Sequence, residues 1–168
     1  LRLVGELDVV ALGAAVGDVV GRHESVRTVF PVVEGVPWQR VLGVEVAWPG
    51  GLRVVGAGAG GVAGCVAALV GRGFDLVCEV PLRVVLLEVG EREHVLVVVV
   101  HHIAFDGWSV GPFVRDLSVA YGARSAGGVP VWEELPVQYG DFTLWQREVL
   151  ESDGFESREL GFWREVLR

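Results

Sequence analysis

Two adjacent histidines, His101 and His102, close an unbroken apolar run from Val95 to Val100, and Ile103-Ala104-Phe105-Asp106-Gly107-Trp108-Ser109 follows them. Imidazole titrates at about 6.5, so it can take up or give away a proton near neutral pH. A histidine at the end of a buried strand stands on rigid backbone at a sheet edge, where sites are often built. Asp106, four residues beyond His102, is placed to fold back and hold the turn through a buried ion pair or backbone hydrogen bonds. Gly107 would supply a φ that residues with a Cβ resist. Residue types alone leave three readings open: proton transfer, a structural pair at a strand end, or a metal site. The last needs three or four converging ligands, and outside this turn only His23 and His94 remain, each in a different segment.

The elements around the turn can be read from periodicity. Val95 to Val100 has the β-branched pattern of a strand buried on both faces, and Leu82 to Val89 precedes it across a Gly90-Glu91-Arg92-Glu93 hairpin. After the turn, Phe113, Leu117, Ala120 and Tyr121 recur at helical intervals. Upstream, Leu1 to Glu6 reads as a short strand, Asp8 as a helix N-cap and Val9 to Arg22 as the helix it starts. Gly13, Gly17 and Gly21 each weaken that helix by about 1 kcal/mol relative to alanine, so packing must hold it. Arg27 to Val33 and Val36 to Leu42 read as paired strands around a Glu34-Gly35 turn. Trp48 to Gly61 reads as a glycine-rich loop around a short strand, and Gly61 to Gly71 as a weaker helix. Ser125 to Pro136 is a loop, and Tyr139 to Leu150 and Glu156 to Leu167 are further helices with Trp145 and Trp163 on their apolar faces. This irregular alternation predicts an α/β sandwich of two layers, not a strictly parallel doubly wound sheet. No internal repeat is visible.

Composition narrows the class. Over 168 residues, 51% are hydrophobic and 21% charged, which predicts one packed domain and excludes disorder. The mean hydropathy of +0.46 comes from valines scattered among charges, and the longest apolar run is far too short to span a bilayer. No secretion signal is visible, so a cytoplasmic protein with no membrane role is expected. A net charge of −8 argues against nucleic acid, which demands excess cations. Cys65 and Cys78 form no CxxC and are expected to be reduced and structural. All 14 basic residues are arginine and methionine is absent, which suggests a GC-rich coding sequence and a piece of a longer chain.

His101-His102-Ile103-Ala104-Phe105-Asp106-Gly107 resembles the HHxxxDG signature of nonribosomal peptide synthetase condensation domains, related more loosely through HxxxD to chloramphenicol acetyltransferase-like acyltransferases. Arg22-His23-Glu24-Ser25-Val26-Arg27-Thr28-Val29-Phe30 resembles the family's RHExLRTxF segment, and Gly35-Val36-Pro37-Trp38-Gln39 its GxPxQ. Phe74-Asp75-Leu76 with Pro81-Leu82-Arg83 is similar to its FDL…PLR stretch. Leu135 to Phe142 with Trp145-Gln146 is similar to LPVQYxDxxxWQ, and Phe162-Trp163 to its closing YW. The resemblance covers nearly all of residues 1–168 and implies the N-terminal lobe of a two-lobed, V-shaped domain, without the family's first motif upstream or its C-terminal lobe.

The resemblance also implies the chemistry. Such domains join two substrates held as thioesters on the phosphopantetheine arms of carrier proteins, the acceptor's amine attacking the donor's carbonyl. His102 would be the catalytic residue, with His101, Asp106 and Gly107 shaping the site and Trp108 supporting it. Asp106 would pair with an arginine of the RHExLRT segment, Arg27 first and Arg22 second. No metal or directly bound cofactor is implied. The implied partners are upstream and downstream carrier domains, an adenylation domain of the same assembly line and the missing lobe, without which the fragment would be inactive. Trp108 is expected to pack and Ser109 to cap the following helix. Trp38, Trp132, Trp145 and Trp163 are expected in the core or at a lobe interface, His94 as an ordinary strand residue and His23 as a packed helix end. Two alternatives stand beside this reading: a stand-alone acyltransferase using a soluble acyl-coenzyme A, and a degenerate domain that only recruits carrier proteins or partner enzymes.

Overall fold

A computed structural model describes residues 1–58, 60–152 and 155–168, with backbone alone at 155–159. It divides into two compact units, Leu1–Glu134 and Leu135–Arg168. The first opens with β1 (Arg2–Val4), α1 (Val9–Arg22), a 3₁₀ turn (Glu24–Arg27) and four two-residue strands: β2 (Thr28–Val29), β3 (Val32–Val33), β4 (Val36–Pro37) and β5 (Arg40–Val41). α2 (Val44–Ala47), β6 (Arg53–Gly56), α3 (Gly61–Gly71), β7 (Leu82–Gly90), β8 (Glu93–Val100) and α4 (Val110–Ser125) complete it.

The sheet runs β1-β8-β7-β6. β7 pairs antiparallel with β8 and β8 with β1, whereas β6 and β7 are parallel, because the long α3 crossover returns the chain in the same direction. The mixed α/β class expected from the alternation of patterns is the one found. β8 is packed on both faces, as its valine run requires. Leu96, Val98 and Val100 pack with α1 and α4, while Val95, Val97 and Val99 pack toward Val62, Val66 and Leu69 of α3.

Asp8 starts α1 as expected: its Oδ1 accepts the Ala11 N–H at 2.8 Å. Leu12, Val16, Val19 and Val20 are buried against α4 and the sheet. The three glycines that weaken α1 lie on a face touched by the 44–52 segment. A Cβ at Gly13 would sit 3.2 Å from Leu52 Cβ, at Gly17 3.1 Å from Trp48 Cδ1 and at Gly21 3.3 Å from Val44 Cγ2. Their cost in helix propensity is the condition for this close approach. α4 is tied to α1 by two contacts at 2.7 and 2.6 Å from Arg124 to the Asp18 carboxylate, and Tyr121 Oη accepts the Asp8 N–H.

The hairpin at Glu34-Gly35 is present, with φ of 52° and 81°, the doubly positive pair that a tight two-residue turn needs. Its arms are not continuous strands. Val32–Val33 pairs with Val36–Pro37, and Thr28–Val29 with Arg40–Val41. Between these pieces the Phe30 N–H leaves the hairpin to reach the Leu76 carbonyl, and Pro31 has no N–H to give. The segment before Thr28 is the 3₁₀ turn, and α2 occupies residues that showed no helical period.

The second unit holds α5 (Tyr139–Glu151) and α6 (Phe155–Val166). A reciprocal cap starts α5, in which the Gln138 N–H donates to Asp141 Oδ2 at 2.8 Å. Asp153 and Gly154, between these helices, and Ala59, within the expected 48–61 loop, fall outside the described residues. Among the described residues, no helix is long and apolar enough to cross a membrane.

Candidate active site

β8 delivers His101 to the sheet's end, where its N–H still donates to the Pro81 carbonyl at 2.9 Å and extends the β7–β8 pairing by one residue. A turn follows at once. The Ala104 N–H donates to the His101 carbonyl at 3.0 Å, and the Ile103 N–H to His101 Nδ1 at 3.0 Å. His101 is half-buried, with Phe74 in edge contact at 5.9 Å between ring centroids. His102, between the two pinned residues, is exposed. The arrangement separates two neighbouring imidazoles, one bound into the turn and one presented outward.

Asp106 is exposed, and its carboxylate stays within its own turn. Oδ1 accepts the Ser109 N–H at 3.0 Å and the Ser109 hydroxyl at 2.7 Å, and the Asp106 N–H donates back to Ser109 Oγ. The Ser109 hydroxyl and N–H hold the Asp106 carboxyl below the usual aspartate range, and the nearby His102 charge adds to this. Ser109 stands at the N-cap position of α4 as expected, but its side chain makes no cap bond to the helix and its hydroxyl donates to Asp106 instead.

Two expectations about this turn are corrected. Asp106 makes no ion pair with Arg27 or Arg22. Arg27 turns to the carbonyls of Leu42 and Gly21 and to Glu24, and Arg22 to Asp116 and the Glu133 carbonyl. An exposed carboxylate satisfied by local donors needs no buried cation. Gly107 does not adopt a positive φ, and a Cβ there would meet nothing within 4 Å.

The aspartate that does meet the RHE segment is Asp116, which the periodicity of α4 passed over. It is 3% exposed, on one helical face with Phe113, Leu117 and Ala120. Its carboxylate receives Arg22 Nε at 2.9 Å and Arg115 Nε at 3.0 Å, and lies 2.9 Å from His23 Nε2. Burial pushes this carboxyl up, but hydrogen bonds from His23, Arg115 and Arg22 outweigh burial and hold it below its ordinary value. Arg22 also stacks on Trp132 at 4.8 Å. The signal was available: a charged residue on an apolar helix face is rarely buried without a partner.

The remaining expected residues fall in different places. Trp108 is 90% exposed, so it is not packed into a core among the described residues. Trp38, Trp145 and Trp163 are likewise exposed, and Trp132 is half-buried. His94 is buried in β8. Cys65 and Cys78 are free thiols. A cavity of about 150 Å³ lies behind the turn, lined by His23, Val26, Phe105, Ser109 and Phe113 among others. A larger one of about 610 Å³, whose lining includes no histidine, lies between β6, β7, α3 and Trp48. Among the described residues no three histidine, cysteine or acidic side chains converge as a metal site would need.

A mixed sheet with helices packed on it that ends in an exposed histidine, with HHxxxDG wrapped into the start of a helix, defines a class, and the comparisons agree on it. The Condensation domain family matches residues 1–168, and the chain belongs to that family. It is similar to the isonitrile lipopeptide synthase of Mycobacterium tuberculosis, with 49% identity over 99% of the chain and 7% of that protein. It is also similar to the dimodular nonribosomal peptide synthase of Bacillus subtilis, with 42% identity over 100% of the chain and again 7% of that protein. Among solved structures, the X-domain from teicoplanin biosynthesis superposes with a TM-score of 0.89 at 39% identity, over 98% of this chain and 36% of that one. An X-domain from the same pathway has also been solved in complex with OxyB. The chain therefore spans a small part of the synthetases it matches and about a third of the solved domain.

Proposed function

We propose that this chain contributes the histidine-bearing lobe of a condensation domain that forms an amide between two carrier-bound substrates. The acceptor's α-amine attacks the donor's thioester carbonyl, so that a C–N bond forms and the C–S bond breaks. The donor arm leaves as its phosphopantetheine thiol, which takes up a proton, while the amine gives one up. His102 serves this exchange by orienting the amine, accepting its proton or stabilising the tetrahedral intermediate. An aminoacyl thioester is already activated, so positioning, which can supply about 7–11 kcal/mol, and a modest proton transfer suffice. The carrying observation is the exposed His102 imidazole, held at the end of β8 between residues whose backbone and ring are hydrogen-bonded. The carrier domains, an adenylation domain and the remaining lobe are the partners this chemistry requires.

One specific observation favours a second reading. An X-domain with a very similar fold is known in complex with OxyB, so a domain that recruits a partner enzyme and forms no amide is the alternative. Carrier proteins loaded with donor and acceptor thioesters, mixed with the complete protein, separate the two. Dipeptidyl thioester on the acceptor carrier supports condensation, and its absence with intact carrier binding supports recruitment.

A further inference from the structure

The proposed chemistry uses His102 and leaves the fixing of its neighbour unexplained. Three side chains stand in line behind the turn. Arg83 of β7 has Cζ 3.7 Å from the Phe74 ring centroid, a cation over an aromatic face. Phe74 in turn meets the His101 ring nearly perpendicular, at 89° and 5.9 Å. Arg83 is itself anchored. Nε donates to Glu79 Oε1 at 3.0 Å, and the two terminal nitrogens donate to the carbonyls of Arg72 and Gly73, the two residues just before Phe74 in the chain. The guanidinium therefore fixes both the ring and the backbone that carries it. A lysine has neither the fork nor the planar face to do both.

At the far end of the line, His101 Nδ1 accepts the Ile103 N–H. In the neutral ring that leaves the proton on Nε2 and fixes the tautomer. We propose that Arg83 and Phe74 are positioning residues for the condensation site: they hold the His101 imidazole in one orientation and one tautomer, and so hold the 101–104 turn that presents His102. This rests on the reading of His102 given above. His101 acts through the turn it binds, and Arg83 acts only through Phe74 and His101.

The test uses the complete protein with Phe74→Leu, Phe74→Tyr, Arg83→Gln and His101→Ala, each measured for amide formation from loaded carriers. Phe74→Leu and Arg83→Gln are each expected to lower kcat about tenfold with little change in KM, since small misplacements at a reacting centre cost rate before binding. Phe74→Tyr keeps the ring and recovers most of the rate. In a His101→Ala background, Phe74→Leu adds no further loss, because contacts in one line are not additive. A full multiplicative loss in the double variant overturns the proposal, as does an undiminished rate in Phe74→Leu. ¹⁵N spectra of histidine-labelled protein read the ring without any turnover. The expected His101 signal has its proton on Nε2 in the parent protein and averages between tautomers in Phe74→Leu. A proton on Nδ1, or averaging in the parent, overturns the proposal whether or not product forms. The expected spectra without any amide product would remove the condensation reading and leave the ring's fixation standing.

Discussion

Asp106 gives up its proton more readily than an ordinary aspartate because Ser109 supplies it with a hydroxyl and a backbone N–H. Since its folded-state pKa is depressed, its contribution to stability is complete above the unfolded value of about 3.9 and fades as pH falls through the lower folded value. The protection factor of the Ser109 amide, measured from neutral pH down into that acid window, is expected to fall in the parent protein. Asp106→Asn is expected to flatten that fall, and an unchanged pH profile in that variant would contradict the part Asp106 plays in the turn. The histidine pair and this aspartate were legible as a unit because their spacing forces a turn at a strand's end. What the sequence left open was the partner of Asp106. An HxxxD spacing cannot distinguish a carboxylate that reaches across the fold from one satisfied three residues later by a serine.

At the scale of elements, α4 carries the turn and is tied to α1 at two levels, by Asp18 to Arg124 and by Asp116 to Arg22 and His23. The lower tie is buried, and removing one member of a buried ion network costs about 3–5 kcal/mol because the others remain uncompensated. Asp116→Ala is therefore expected to raise the exchange of α4 amides by a corresponding amount and to loosen α1 with it. Protection unchanged in both helices would show that the tie contributes nothing. Helices α1 and α3 and strands β7 and β8 were legible nearly to the residue, since each has a run or stripe that only one period fits. The divided hairpin was not, because a Phe30 N–H that bonds to Leu76 is a tertiary event no local pattern records. α2 is one turn long, and its hold comes from Val44 against the Gly21 gap, not from propensity.

For the molecule as a whole, Leu1–Glu134 buries two apolar clusters, one on each face of the sheet, while the helices of Leu135–Arg168 keep Tyr139, Phe142, Trp145, Phe162 and Trp163 exposed. Apolar periodicity identified the helices correctly, but it could not say whether the faces they present are covered within this chain. The family was legible from ordered motifs, and the fold agrees with it. Condensation by this lobe, as proposed, depends on His102 as the group that serves amide formation. The most direct measurement is single-turnover transfer between loaded carrier proteins by the complete protein carrying His102→Ala. Loss of a positioned proton acceptor predicts a rate lower by about 10²–10⁴-fold, with residual transfer from the activated thioester. Transfer at the parent rate in a folded variant would contradict the account.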